Sequence, residues 1–204
     1  PSKVIPSLVV SAMISKGPFM IYYGQELGEM AHDNEGFAGD NNRSTIFDYW
    51  SYDTLRRWYD NGRCSALKLT RHERWLRKLY KNVLTMCNAR RAFREGCFFD
   101  LMYVNLRNSG FNPHRQYAFL RYTESEALLV VANFDDNNID LSLSIPQLAI
   151  DMAGLASGKQ CAKDLLWGRE LSFEVGADVQ TALSVKGHDA VIVPLKKRGN
   201  NAIE

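Results

Sequence analysis

The first hydrophobic pattern in the chain is helical and is followed by an unbroken apolar run. Between residues 3 and 15, apolar side chains recur at the spacing of one helix face; Ser2 is a candidate N-cap, and Gly17 and Pro18 end the pattern. Residues 19–23 (FMIYY) are all apolar or aromatic, as in a strand that a parallel sheet buries on both faces. Helix, short turn and buried strand together predict half of an α/β repeat.

A second helix is predicted from about residue 70 to residue 95. Thr70 and Glu73 have the T-x-x-E spacing of a capping box. Apolar residues then follow the 3.6-residue period, and Gly96 is a candidate C-cap. The aromatic residues in this stripe predict core packing rather than a ligand site.

Between these helices, residues 24–69 show little sustained period and are rich in glycine, asparagine, aspartate and aromatic residues. Loops of this length in compact domains are usually functional or disordered. Seven aromatic residues between positions 37 and 59 argue against disorder. We therefore predict an ordered, partly exposed loop with a short helix near residues 53–59.

After Cys97 the hydrophobic period changes from 3.6 to two. Residues 139–145 and 171–175 alternate strictly between apolar and polar side chains, and residues 127–134 and 189–195 are strongly β-prone. About eight short strands, with no helical pattern between them, predict an antiparallel β-sandwich. The predicted fold class is therefore α/β followed by all-β, with one domain over residues 1–97 and a second over residues 98–204.

Composition and charge exclude several classes of protein. With 46% hydrophobic and 11% aromatic residues the chain can bury a core, and no apolar run approaches the ~20 residues of a membrane helix. The net charge is +2; ten basic residues against two acidic ones between positions 63 and 97 are typical of a solvated helix face rather than a nucleic-acid footprint. The four cysteines lack the spacing of a zinc site or a disulfide framework. We therefore expect no membrane, nucleic-acid or metal binding by this chain.

Carboxylates and aromatic rings concentrated in one loop after a buried strand suggest a sugar site. Sugars present hydroxyls to carboxylates and amides, and apolar C–H faces to aromatic rings, and ligands of α/β folds bind at the carboxyl ends of strands. A purely structural role, with acids capping turns and rings anchoring the loop, explains the same composition. Glu26 and Glu29 are close in sequence, but one loop does not place two carboxyls across a glycosidic bond.

Four segments resemble, in chain order, the C-terminal part of the α-amylase family of glycoside hydrolases. Residues 17–28 (GPFMIYYGQELG) resemble the eighth barrel strand and its turn, commonly G-x-P-x-I-Y-Y-G-x-E-x-G, with proline here one place early. Residues 43–48 (RSTIFD) are similar to R-x-P-M-x-W-D, although the Pro, Met and Trp are replaced. Residues 117–134 and 189–193 look like the opening hairpin and closing strand of the family's C-terminal sandwich.

The resemblance implies the C-terminal segment of a (β/α)8 barrel, including the long substrate loop 24–69, followed by the sandwich. In the family, the nucleophile Asp, the acid/base Glu and a third Asp in F-x-x-N-H-D precede the region matched here. We therefore expect no catalytic residue in this chain, whose parent would hydrolyse α-glucosidic bonds, α-1,4 bonds first among them, with retention. Implied contacts to an α-glucan or maltooligosaccharide are Gln25, Glu26, Arg43, Asp40 and Trp50.

No cofactor is implied for this chain, while calcium is a candidate ion for the parent protein. The chain begins at Pro1 without a signal-like segment, so we expect an upstream barrel segment, or self-association, to cover the unpaired strand and helix faces. Two alternatives remain. One is a non-catalytic carbohydrate-binding or scaffold module, and the other is an amylase-like partner protein that has lost its catalytic residues.

Overall fold

The computed structural model describes residues 3–29 and 53–199, which belong to two compact units. The first unit covers residues 18–82, and the second combines residues 2–17 with 83–204. The helices are α1 (Val4–Met13), α2 (Asp53–Tyr59), α3 (Arg71–Ala89), α4 (Arg91–Arg94), α5 (Met102–Asn105) and α6 (Gln147–Met152). The strands are β1 (Cys97–Asp100), β2 (Gln116–Tyr122), β3 (Ala127–Asn133), β4 (Ile139–Ser144), β5 (Gly158–Lys163), β6 (Glu170–Val175), β7 (Gln180–Val185) and β8 (Asp189–Pro194).

All the described strands lie in the second unit, and every pair of them is antiparallel. The main sheet has the order β1-β2-β3-β8, while β4 pairs with β7 and β5 with β6. The apolar residues of β4 and β7 alternate with more exposed ones and face a common core with the main sheet. The predicted antiparallel sandwich after Cys97 is therefore confirmed.

The centre of the main sheet is buried on both faces. All seven residues of β3 are buried. Leu129 and Val131 belong to the core cluster of the sandwich, so Leu128 and Val130 point to the opposite face. There α1 packs against β3 and β8, and α4 packs against β2. This double cover explains why residues 127–132 form a continuous apolar run instead of an alternating pattern.

The predicted strand at residues 19–23 is not a strand among the described residues. The segment has no ladder partner there, and Met20 is 81% exposed. A strand exists through hydrogen bonds to its neighbours, and an apolar run alone does not supply them. The predicted helix at residues 3–15 is confirmed as α1, and the short helix near residues 53–59 as α2.

The predicted helix at residues 70–95 is divided into α3 and α4. Arg90 adopts an extended conformation (φ −93°, ψ 120°) between them. Glu126, in the turn between β2 and β3, accepts a hydrogen bond from the Ala92 N–H at 3.0 Å and pairs with Arg90 at 3.0 Å. The Glu126 carboxylate from the hairpin therefore accepts a hydrogen bond from an N–H group in the first turn of α4, which has no partner within the helix. The C-cap of α4 is Glu95, not Gly96.

Two further differences concern the sandwich region. The short helices α5 and α6 lie between its strands, although the sequence predicts strands with no helix between them. The sequence does not reveal them because each is too short to show a helical period. The compact units divide inside α3 rather than near residue 97. The division into a barrel portion (1–97) and a sandwich domain (98–204) stays a prediction about the longer protein.

The largest fully buried side chain of the described residues is a cation, Arg121 on β2. Its Nε donates to the carbonyl of Ala92 at 3.1 Å and its Nη1 to that of Ile14 at 3.2 Å. Its Nη2 donates to the carbonyls of Phe93 and Gly96, both at 3.0 Å. Burial lowers the pKa of the guanidinium, which nevertheless remains protonated at neutral pH. The carbonyls at the ends of α1 and α4 carry partial negative charge, so helix ends replace a carboxylate as partner.

Replacing Arg121 by methionine should destabilise the second unit by about 3–5 kcal/mol, because four buried carbonyls lose their donors. Arg121→Lys should recover only part of the loss, because an ammonium lacks the forked geometry. Urea unfolding followed by Trp167 fluorescence measures both changes. Arg107→Met, on an exposed arginine, is the control and should unfold like the wild type. An Arg121→Met variant as stable as this control would contradict the assignment.

Candidate functional site

The GQELG sequence forms a tight turn with a glycine at each end. Gly24 (φ 74°) and Gly28 (φ 75°) adopt left-handed conformations, and Gln25–Leu27 form one 3-10 turn between them. A β-carbon on Gly24 would lie 2.8 Å from the Cβ of Glu29. The N–H groups of Leu27 and Glu29 both donate to the Gly24 carbonyl, at 3.0 and 3.1 Å. Conformation and space thus both require glycine at the start of this turn.

Gln25 and Glu26 are the two predicted sugar contacts that the structure describes. The Gln25 Oε1 accepts a hydrogen bond from the Tyr22 N–H at 3.1 Å, so this side chain braces the turn. The pKa of the Tyr80 phenol is raised, chiefly by burial. The Gln25 side chain lowers this pKa, and the negative charge of Glu26 raises it. The Gln25 amide therefore serves the backbone of the turn itself.

The other predicted sugar contacts, Asp40, Arg43 and Trp50, lie outside the described residues, and their role stays a prediction. Among residues 3–29 and 53–199, no three His, Cys, Asp or Glu side chains converge as a metal ion would require. No helix in the same ranges is long and apolar enough to cross a membrane.

The first unit contains a cavity of about 630 Å³, here called the α2 cavity. This volume is in the usual range for small-molecule sites. Neither Gln25 nor Glu26 lines it. Its wall combines aromatic rings, carboxylates, an amide and cations, from Tyr23, Asp53, Leu55, Arg56, Arg57, Trp58, Tyr59, Asp60, Asn61, Cys64 and Lys68. The rings at positions 58 and 59 belong to the aromatic-rich loop for which the sequence predicts a sugar site, although they are not among the individually predicted contacts.

Arg57, on the wall of the α2 cavity, is fixed by the start of α3. Its Nε lies 3.3 Å from a carboxylate oxygen of Glu73, and its Nη2 bonds the other oxygen. Glu73 also accepts a hydrogen bond from the Thr70 N–H at 2.8 Å, and the Thr70 hydroxyl accepts one from the Glu73 N–H at 3.2 Å. The predicted capping box is therefore confirmed, and its carboxylate also holds the cavity wall.

Charge and strain concentrate where α2 ends. Asp60 is buried, pairs with the Lys68 ammonium at 2.6 Å and accepts a hydrogen bond from the Ser65 hydroxyl at 3.3 Å. The Lys68 hydrogen bond lowers the pKa of the Asp60 carboxyl. Asp60 (φ 43°), Asn61 (φ 55°) and Cys64 (φ 50°) all adopt left-handed conformations. Strain of this kind in non-glycine residues often marks a functional site, and all three residues line the α2 cavity.

The Glu73 carboxylate should stabilise the first unit only above acidic pH. Burial opposes its ionisation, but the hydrogen bonds from Arg57 and Thr70 prevail, and the pKa of Glu73 is lowered. This contribution is complete above the unfolded-state pKa, roughly 4.3, and is lost as the pH falls through the lower folded-state value. Glu73→Gln should therefore cost about 1–3 kcal/mol at pH 7, with the difference from wild type disappearing at low pH.

Denaturant unfolding followed by Trp58 and Trp75 fluorescence, repeated from pH 7 to low pH, measures this dependence. Glu95→Gln is the control, because its exposed carboxylate pairs only within one turn of α4. A Glu73→Gln loss that is the same at every pH would contradict the electrostatic account.

No protein-family model matches the chain, and no curated protein matches its sequence. Solved structures match its fold. AmyP, solved in complex with maltose, is 15% identical with a TM-score of 0.64, over 98% of this chain and 35% of that one. A noncanonic maltogenic alpha-amylase, AmyB from Thermotoga neapolitana, is 14% identical with a TM-score of 0.60, over 96% of this chain and 36% of that one. The alpha-amylase from Geobacillus thermoleovorans, complexed with acarbose, is 15% identical with a TM-score of 0.56, and the match covers 97% of this chain and 34% of that one.

The identities are low, but the matches cover nearly all of this chain. The chain spans about a third of the length of these solved structures. Its fold is therefore that of one part of the α-amylase architecture, as the segments at 17–28, 117–134 and 189–193 indicate, and corresponds to the C-terminal part.

Proposed function

We propose that this chain is the C-terminal part of a retaining glycoside hydrolase that acts on α-glucans, with α-1,4 bonds as the first expected target. The observation that carries the proposal is the fold match to α-amylase structures over 94–98% of the chain, together with the strand-eight motif. AmyP structures contain maltose and maltotriose, which supports maltooligosaccharides as ligands. The α2 cavity supplies rings and polar groups suited to such a ligand.

The catalytic carboxylates are proposed to lie outside this chain. A general acid in glycoside hydrolysis needs a raised pKa. In the first unit, the pKa values of Asp60 and Glu73 are instead lowered, the first by its Lys68 hydrogen bond and the second by Arg57 and Thr70 against the effect of burial. Both carboxylates are engaged in structural hydrogen bonds and ion pairs. Their environment suits them to hold the cavity wall rather than to transfer protons.

A non-catalytic carbohydrate-binding module is the second candidate function. The observation in its favour is that the described residues lining the α2 cavity all belong to one unit of this chain. The two candidates differ in whether the parent protein hydrolyses its ligand.

The parent protein, expressed with its upstream sequence, should release maltooligosaccharides from soluble starch with retained anomeric configuration, observed by proton NMR. The 204-residue chain alone should release none.

Tyr59, which lines the α2 cavity and is 61% exposed, offers a binding test. Tyr59→Ala should weaken maltoheptaose binding about tenfold, because one ring face is lost.

The matched control is Tyr103→Ala, an exposed tyrosine of the second unit that should leave binding unchanged. Hydrolysis with inversion, or by the isolated chain, would contradict the enzyme proposal. Binding by the isolated chain with an inactive parent would favour the module.

The exposed apolar residues of the first unit are proposed to be covered by the upstream barrel segment or by a second copy of the chain. Met20 and Leu67 are each 81% exposed, which is unusual for large apolar side chains. The isolated chain should therefore self-associate in sedimentation experiments. Met20→Asp should weaken this association, whereas Leu148→Asp, at an exposed site of the second unit, should not. A monomer unaffected by either substitution and by dilution would contradict this expectation.

A further inference from the structure

The second unit contains a separate cavity of about 430 Å³, here called the Trp167 pocket. It lies beside the start of β8 and the turn that precedes this strand. Its lining consists of Ile5, Trp167, Arg169, Lys186, Gly187, His188 and Asp189. The volume is within the usual range for small-molecule sites, and the lining combines an aromatic ring and an aliphatic side chain with four polar or charged residues.

Trp167 lines the pocket as an exposed but fixed ring. It is 40% exposed, although large apolar side chains are normally covered. Its Nε1 donates to the Asp189 Oδ1 at 2.6 Å, which anchors the indole. The residue lies in the turn between β5 and β6, closed by the Asp164 N–H to the Arg169 carbonyl and the Gly168 N–H to the Asp164 carbonyl, both at 2.8 Å. A ligand would therefore meet a ring whose position is already set.

The charge of Arg169 in the pocket is balanced by two carboxylates. Arg169 is 3.3 Å from carboxylate oxygens of both Asp164 and Asp189. The Asp164 Oδ1 also accepts hydrogen bonds from the Leu166 and Ile192 N–H groups, at 3.1 and 3.0 Å. An anion approaching Arg169 would have to compete with two carboxylates that this network holds in place. On the Arg169 side the pocket is therefore suited to a neutral ligand rather than to a phosphate or a carboxylate, while Lys186 is a lining cation without an ion pair among the described residues.

The part of the pocket formed by Gly187 and His188 is also held in place. His188 has a left-handed backbone (φ 49°), and its Nε2 lies 2.7 Å from the Asp136 Oδ1. The Gly187 N–H donates to the Asn138 Oδ1 at 3.0 Å, and a β-carbon on Gly187 would lie 2.1 Å from the Asp136 carbonyl oxygen. Close approach of two turns thus requires glycine here and fixes the histidine at the rim.

We propose that the Trp167 pocket is an accessory binding site for a neutral sugar ring. The indole would stack on the apolar C–H face of a pyranose, while the polar groups of Arg169, Lys186 and His188 would bond its hydroxyls. That the sugar is a unit of an α-glucan rests on the proposed function. The site is distinct from the α2 cavity, because the two are lined by residues of different units.

The test follows the indole N–H signals of the ¹⁵N-labelled 204-residue chain during titration with maltoheptaose. Four tryptophans give four signals, and Trp58 on the α2 cavity serves as an internal comparison. The Trp167 signal should shift and saturate. Trp167→Phe should remove that signal, which assigns it, and Trp167→Ala should weaken binding at this pocket about tenfold, read from the amide signals of Gly187 and His188. Tyr103→Ala should leave the titration unchanged.

If the Trp167 variants do not fold, the signal can be assigned in the wild type through its proximity to the Ala190 amide, because Asp189 bonds both groups. A shift of Trp58 without Trp167 would overturn the accessory site and leave the proposed function standing. A shift of Trp167 with inorganic phosphate but with no sugar would overturn the neutral-ligand assignment. A shift of the Trp167 signal that occurs only with neutral disaccharides other than maltose would support the sugar site and contradict its assignment to an α-glucan.

Discussion

The buried guanidinium of Arg121 is the interaction on which the second unit depends. A charge at a side chain that is 2% exposed needs partners, and among the described residues no carboxylate pairs with it. Instead it bonds the carbonyls of Ile14, Ala92, Phe93 and Gly96, which belong to two separate stretches of backbone, at residue 14 and at residues 92–96. One side chain therefore fixes where α1 ends, where α4 ends and where β1 begins. The ends of two helices supply the negative potential, so no second charge has to be buried.

Double burial of the main sheet is the second constraint. Because β3 has apolar residues on both faces, the sheet needs helices on one side and the remaining strands on the other. Helix α1, far from the sheet in sequence, meets this need by packing on β3 and β8. Helix α3 contributes to both compact units, with residues up to 82 in the first and from 83 in the second.

The sequence predicts the features that neighbouring residues determine, and it does not predict the features that depend on residues distant in the chain. The T-x-x-E spacing predicts the Thr70–Glu73 cap, and the period of two predicts β4 and β6, because neighbouring residues determine both. The break at Arg90 depends on Glu126, more than thirty residues away, and no local signal marks it. The run at 19–23 has the composition of a strand, but pairing requires neighbours that composition does not provide. The α2 cavity also depends on the folded chain. The sequence shows its aromatic residues, but it does not show the left-handed turn at Asp60, which lines the same cavity.

The proposed function requires that the chain be one part of an α-glucan hydrolase, and its fold corresponds to about a third of the matched α-amylase structures. Among the described carboxylates of the first unit, Glu73 and Asp60 are held in ion pairs with Arg57 and Lys68, and the proposal assigns catalysis to acids upstream of this chain. The most direct measurement is the coding sequence immediately upstream of Pro1, read from the source DNA. The account predicts an open reading frame encoding F-x-x-N-H-D and two further barrel carboxylates. A start codon at this point, or a barrel sequence without those acids, would contradict it.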